Sequence, residues 1–500
     1  MNNRFIIKMK RLFFCCFLIL AFLSFSACDD NDSFTTSPSA ILSFSQDTVM
    51  MDTVFSTVPT STYSFWVYNR NDDGVRLRQV RLKRGNQTGF RVNVDGTYLD
   101  NTMGSLVRDL EVRGGDSIRV FVELTSSLNN ADTPQLVEDE LVFGLESGVE
   151  QSVNLRAYSW DAVMCRNLVI SSDTVISNSK PIVIYGGLRV DSGATLTVNA
   201  SARLYFHADA GIDVYGRLVV NGSSGNDVVM RGDRTDRMFD YLPYDRVSGQ
   251  WKGIHIHPSS SDNRISYADI HSANDGIVCD SAEYDSTNTR LTLANVTIHN
   301  CKGAGLTAYN SNVSLVNCQI TNTLGDCVAI YGGSASILYC TFAQFYPFDA
   351  SRGVALRFAC RYNDFDYPLY KFNCQNTLVT GYSSDEVMGE ASDSLVAFNY
   401  HFVNSILRTP AITDTVLLKH FDNVLFEQPT DTIQGAKHFR NIDSNNLYYD
   451  FHLDSLSTAI GRALPTGSCT TDRDGRDRGQ IPDIGCYQYM PSMRVTSGRR

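Results

Sequence analysis

Leu291-Thr292-Leu293-Ala294-Asn295-Val296-Thr297-Ile298 is answered 22 residues on by Val313-Ser314-Leu315-Val316-Asn317-Cys318-Gln319-Ile320, and after another 22 by Ala335-Ser336-Ile337-Leu338-Tyr339-Cys340-Thr341-Phe342. In each copy the apolar phase is two-fold, slips by one residue at the position of Asn295, and becomes two-fold again. That pattern is two short strands meeting at a corner. A third alternating pair comes next, Leu306 with Ala308, repeated by Val328 with Ile330 and, 26 residues further, by Val354 with Leu356. A unit this short cannot bury its own apolar side and must stack on copies of itself. Three strands per turn then make a three-sided coil, and the preceding turn (Ile265, Ala268, Ile270, Ile277, Cys279) obeys the same grammar with residues inserted near Asp280 to Thr289. A leucine-rich repeat would need a helical half, and a propeller blade about 40 residues and four strands. No window of twelve residues between Cys165 and Phe451 carries a helical stripe. The fold class is all-β: a right-handed parallel β-helix with a repeat of about 22 residues.

The chain begins with Arg4, Lys8, Lys10 and Arg11, continues through the apolar stretch Leu12 to Phe25, and reaches Ser26-Ala27-Cys28. A basic start, an apolar centre and small residues before a cysteine read as a lipoprotein signal peptide, residues 1–27, with Cys28 as the lipidation site and membrane anchor. A plain secretory signal is the alternative. An uncleaved span suits it less, because the run is shorter than the roughly 20 residues a bilayer core requires. Asp29, Asp30 and Asp32 followed by Ser and Thr make 28–39 an acidic, flexible tether.

Loss of the signal removes four positive charges and takes the net charge from −11 to −15, which argues against nucleic acid as a partner. Ten cysteines remain after Cys15, Cys16 and Cys28 are set aside. Cys279, Cys318, Cys327, Cys340, Cys360 and Cys374 are scattered through the repeat and read mainly as small apolar fillers. Stacked strands lie about 4.8 Å apart, so a bridge between Cys318 and Cys340 is within reach. Cys469 with Cys486 is the better disulfide candidate.

Residues 40–161 obey another rule. Phe65 and Val67, Phe90, Val92 and Val94, Ile118, Val120 and Val122, and Val153, Leu155 and Ala157 alternate with polar neighbours between turn clusters such as Asn71-Asp72-Asp73-Gly74. Five to seven short strands over this length suggest an immunoglobulin-like β-sandwich. The β-helix is expected over 165–450, a closing segment over 451–490 to cover its open strand edges, and a tail over 491–500.

In its lipobox-like cysteine, the acidic residues behind it, the Trp251-Lys252-Gly253-Ile254 step and the closing Asp483-Ile484-Gly485, the chain resembles the right-handed β-helix surface lipoproteins of Bacteroidetes, which have a pectate-lyase-like fold behind an immunoglobulin-like domain. Cys486 departs from the family's closing motif, which usually has Ala there. The resemblance implies fold and an outer-membrane, surface-exposed location. It implies no reaction, since the family is largely uncharacterised.

The same fold carries lyases, hydrolases, esterases and adhesins, so function must come from the site. The outward residues Ser266, Thr292, Ser314 and Ser336 on the first strand, Asp269, Thr297, Gln319 and Thr341 on the second, and Val278, Thr307, Ala329 and Ala355 on the third are mostly small and neutral. A metal-assisted lyase needs clustered carboxylates and a basic residue, and those faces show no such cluster. One carboxylate pair fits an inverting glycosidase: Asp275 and Asp326, two coil steps or roughly 9.6 Å apart, with Arg352 one coil beyond. The alternative is that both satisfy backbone donors in turns beside Gly276 and Gly325.

His271 with His299, and His255 with His257, could share an ion, but without a carboxylate at the same corner they read as stacked surface histidines, so no metal and no cofactor is expected. Aromatic residues in two insertions, Phe239, Tyr241, Tyr244 and Trp251, then Tyr362, Phe365, Tyr367 and Tyr370, are candidates for stacking on sugar; gap-filling is the alternative. The expected function is a surface module that binds a polysaccharide or host surface without catalysis. A polysaccharide hydrolase or lyase, or a structural envelope protein, is the alternative.

Overall fold

A computed structural model describes residues 33–177, 179–393 and 395–491. The expected signal peptide and Cys28 lie outside them, as does all but the first residue of the expected tail. No α-helix occurs among the described residues. They form two compact units, one of 33–129 with 135–159 and one of 130–134 with 160–491.

The first unit is two β-sheets around one core. One sheet joins Phe34–Thr35, Gly74–Leu82, Gln135–Leu145, Glu150–Trp160 and Thr48–Phe55, with Leu106–Val112 on Gly74–Leu82; the other joins Ser43–Phe44, Tyr63–Tyr68, Ser117–Leu124, Phe90–Val94 and Thr97–Tyr98. The alternating residues read from the sequence all point inward: Phe65, Val67, Val92, Val120, Val122 and Leu155 are buried in its core. One boundary moves. Phe34 and Thr35 pair in parallel with Gly74 and Val75, so the expected tether is folded from residue 33 onward.

The second unit is a three-sided parallel coil of 26 strands. Leu291, Val313 and Ala335 stand in register on its first side, Ile298, Ile320 and Phe342 on its second, and Leu306 and Val328 on its third. The one-residue slip has a conformational cause. Asn295, Asn317, Asn376, Asn404 and Asn423 have φ between 45° and 57°, the left-handed region that Asn tolerates best among residues with a Cβ. A single left-handed residue turns the chain from one side of the coil to the next.

Two expectations are corrected. Leu356 and Phe358, not Val354 and Leu356, stand opposite Val328 and Ile330. The loop after Gln344 is longer than the spacing suggested, so Arg357 is the outward residue there and Ala355 is buried. The parallel sheet also ends at Leu425–Glu427, short of residue 450.

Beyond the sheet the chain forms a side strap. An antiparallel hairpin, Phe439–Asp443 with Tyr448–Leu453, leads into a segment running back along the coil. Asn404 donates to the Arg462 carbonyl, Asn376 to that of Leu464, Asn317 to that of Thr471, and Arg473 reaches Thr297 and Asp227. The chain then turns, and Arg478 locks it by donating to Asn317 Oδ1 and to the Asp483, Gly485 and Cys486 carbonyls, with its guanidinium 4.0 Å above the Tyr339 ring. The closing motif therefore covers a flank of the β-helix, where Phe345, Leu378, Phe451 and Ile484 share a separate apolar cluster.

Candidate functional site

Three consecutive second-side strands, Ala268–His271, Thr297–His299 and Gln319–Thr321, carry the site. Register places Asp269 beside Thr297 and Gln319, and His271 beside His299 and Thr321. Residues two apart on a strand share a face, so Asp269 and His271 project together, and the next coil brings His299 onto them. Asp269 Oδ1 lies 3.1 Å from His271 Nδ1 and 3.2 Å from His299 Nε2. The two imidazoles stack with centroids 4.7 Å apart. Behind them Trp251 donates its indole N–H to the His271 carbonyl at 2.8 Å and stacks on Phe206.

The electrostatics separate the members of the group. Burial alone would raise the Asp269 pKa, but the charge and hydrogen bond of His271, with those of His299, hold it well below the carboxylate range. His271 goes the other way: burial, only partly opposed by Asp269, lowers it. The site thus holds an ionised carboxylate against a neutral buried imidazole at ordinary pH.

The group opens into a cavity of about 310 Å³. Thr297, His299, Asn300, Gln319, Thr321 and Asn322 line the coil side, Leu447, Tyr448, Tyr449 and Phe451 of the hairpin form the facing wall, and Asp245 and Arg246 come from the long insertion. Arg246 donates to the Asn446 carbonyl at 2.8 Å, tying insertion to hairpin. Three buried polar atoms of this lining, Asp245 Oδ1, Asn322 Oδ1 and the Tyr449 hydroxyl oxygen, have no hydrogen-bond partner in the protein. Burial pushes the Tyr449 phenol up in pKa, so it is present as O–H.

The residues singled out from the sequence fare differently. Asp275 Oδ1 accepts the Ala304 N–H at 2.9 Å, and a Cβ at Gly303 would come 2.1 Å from that oxygen, so the glycine lets the carboxylate lie against the next coil. Asp326 Oδ1 accepts the Val354 N–H, and its Oδ2 lies 2.6 Å from Arg357 Nε. Each carboxylate thus satisfies a backbone donor of the following coil. Arg352 does not join them: it donates to the Tyr346 and Asp349 carbonyls and lies over the Tyr382 ring.

Trp251 is fully buried and is a core residue, which corrects its reading as a surface stacking candidate. Phe239 and Tyr241 are exposed and stacked on each other. Tyr244 is half-buried under Arg234. Tyr362 packs against Tyr309 and Tyr331, Tyr367 lies near Tyr309 and Phe365, and Tyr370 stacks on Tyr284. Tyr284, and Tyr309 with Tyr331, in register 22 residues apart, are the members of this group that the sequence reading missed. Cys469 and Cys486 are free thiols, as are Cys318 and Cys340; Cys469 donates instead toward Asn317 and the Thr471 carbonyl.

The histidine reading is also corrected. Each pair has its carboxylate, because Asp269 serves His271 with His299 and Asp213 serves His255 with His257. Asp269 was legible as an outward residue two before His271. Asp213 precedes His255 by a 42-residue coil, and no 22-residue register finds it.

The sequence matches the family described as right handed beta helix region over residues 168–345, and the coil is accordingly a right-handed parallel β-helix. No curated protein matches the chain. Among solved structures, the chain is similar to a family 123 glycoside hydrolase from Clostridium perfringens, at 6% identity over 24% of this chain and 26% of that one, with a TM-score of 0.16. It spans about a quarter of that hydrolase. A second is the catalytic unit of a thermostable GH87 α-1,3-glucanase from Streptomyces thermodiastaticus strain HF3-3, at 11% identity over 73% of this chain and 88% of that one, with a TM-score of 0.21. Superpositions this weak transfer no chemistry.

Proposed function

We propose that the protein is a lipid-anchored surface β-helix, with an immunoglobulin-like unit ahead of the coil, that binds a carbohydrate end in the cavity between the second side and the C-terminal hairpin. The carrying observation is a cavity with a polar coil side and an aromatic hairpin wall, in which three lining residues each carry a buried polar atom without a partner in the protein. Two accept only and the third both donates and accepts, a demand that a ligand rich in hydroxyl groups meets and an apolar ligand does not. Tyr448, Tyr449 and Phe451 supply the aromatic surface on which the C–H face of a sugar packs. The volume is at the small end of the roughly 300–1,000 Å³ usual for ligand pockets, which suits a chain terminus better than a long polysaccharide. The exposed Phe239 with Tyr241, and Phe365 with Tyr362, remain outlying contacts for a longer glycan.

A second reading has its own observation. An ionised Asp269 that fixes two imidazoles at the cavity is a general-base arrangement, and a hydrolase or lyase acting on the same ligand would use it. A polysaccharide panel screened for binding and for new reducing ends or unsaturated products separates the two. Binding without product, weakened about 5- to 10-fold in Tyr449→Phe through loss of one hydrogen bond, is the expected result. Turnover that disappears in His299→Gln would make the protein an enzyme. Affinity unchanged by Tyr449→Phe and Asn322→Asp alike would remove the cavity from either role. For location, protease applied to intact cells should degrade the chain; survival until lysis rules out surface display.

A further inference from the structure

The third side of the coil carries a cluster that the cavity does not use. Asp213, His255 and His257 project from two successive third-side strands, Ile212–Val214 and Ile254–Ile256 with the residue after it, and Asp280 comes directly after the next strand, Ile277–Cys279. His257 Nε2 lies 2.8 Å and His255 Nδ1 3.7 Å from Asp213 Oδ1. The opposite nitrogen of His255, Nε2, lies 2.8 Å from Asp280 Oδ2. Tyr215 stacks on the His257 ring at 3.9 Å, and Arg290 donates to the His257 and Asp280 carbonyls, fixing the backbone beneath.

We infer that Asp213, His255 Nδ1 and His257 Nε2 form a site for a divalent transition metal such as Zn²⁺, with Asp280 as the residue that orients His255. Ligands at about 2.0–2.2 Å around a tetrahedral ion stand roughly 3.4 Å from one another, and the two observed separations bracket that value. An imidazole ligand ordinarily donates its other N–H to a carboxylate, which leaves the metal-facing nitrogen as a lone pair, and Asp280 is placed to accept it. Two nitrogens and one carboxylate oxygen favour zinc or a neighbouring first-row ion over calcium or magnesium. A fourth position faces solvent, since Asp213 and His255 remain about half exposed.

The other cluster is less suited to a cation. The charges of Arg231 and Arg473 bear on His271 and Asp269 there. The third-side cluster has a structural rationale as well. It joins three consecutive coils where one step is stretched to 42 residues by insertion, so a bound ion would staple the coil where a loop interrupts it.

The test is zinc content of the full chain after dialysis against micromolar zinc, with Co²⁺ substitution to read the ligand field. One zinc per chain and a tetrahedral cobalt spectrum are expected, both lost in His255→Gln/His257→Gln. Asp280→Asn should bind about 10-fold more weakly; unchanged affinity would overturn its orienting role. His255 is partly exposed and His257 less so, and a metal-free thermal melt matching wild type verifies that the double variant folds. Less than one zinc per wild-type chain, or full zinc in the double variant, overturns the proposal.

Discussion

Trp251→Ala is expected to destabilise the β-helical unit by about 3–5 kcal/mol, the range for truncating a fully buried large aromatic side chain. Trp251 has no exposed surface, stacks on Phe206 with centroids 4.4 Å apart, and re-enters the coil directly after the long insertion, bridging in parallel to Ala273. The void left behind opens in the middle of a one-dimensional stack, where each coil is supported only by its neighbours. Trp251→Phe separates packing from hydrogen bonding. It keeps the stack but strands the His271 carbonyl, a cost of about 1–3 kcal/mol for an unsatisfied buried group. Denaturant unfolding should show the transition of the 160–491 unit moving to lower denaturant while that of the sandwich stays in place, and the order Ala below Phe below wild type. Equal midpoints for all three chains would contradict the assignment of Trp251 to the core.

The same residue shows where sequence and structure part. Its position beside an aromatic insertion made it a surface candidate, because one-dimensional spacing cannot distinguish a ring in the insertion from a ring that ends it. The coil itself was legible, since the 22-residue register of Leu293, Leu315 and Ile337 is imposed by the 4.8 Å stacking of parallel strands, and the Asn corner results from left-handed tolerance. The interrupted coils were not. Asp213 reaches His255 across 42 residues, and Arg357 came into register only through a loop whose length no repeat dictates. The cavity wall was hidden for a related reason. The segment 451–490, with Phe451 and Ile484, read as an end cover, yet Asn317, Asn376 and Asn404, already needed at the corners, present amides along the flank that draw the strap sideways. Half of the candidate site could be read, namely Asp269, His271 and His299 on one face of two successive strands; the half contributed by the hairpin could not.

Glu427→Ala is expected to cost a comparable 3–5 kcal/mol, by a different route and with a different consequence. Glu427 is buried at the last strand of the parallel sheet and accepts from Arg408 Nη1, from His438 Nε2 at 2.7 Å, from Thr380 Oγ1 at 3.0 Å and from the Gly435 N–H at 2.9 Å. Arg408 and His438 are buried too, so removing the carboxylate leaves uncompensated polar groups inside, the case in which breaking a buried ion pair is most damaging. Burial tends to raise the Glu427 pKa, but the His438 bond and charge, the Arg408 bond and the Gly435 N–H together lower it. A depressed carboxylate pKa means that the stabilisation is complete above the unfolded value, about 4.3, and is lost as pH falls through the folded one. Wild-type stability should therefore drop with acid in that window more steeply than that of Glu427→Gln. Because Gly435 and His438 lead directly into the hairpin that walls the cavity, Glu427→Ala should abolish ligand binding while the coils before Thr380 keep their protection from hydrogen exchange. Trp251→Ala, by contrast, should expose those coils first. Uniform loss of protection along the whole β-helix in Glu427→Ala would show that the strap and coil unfold as one unit and that the cavity has no separable wall.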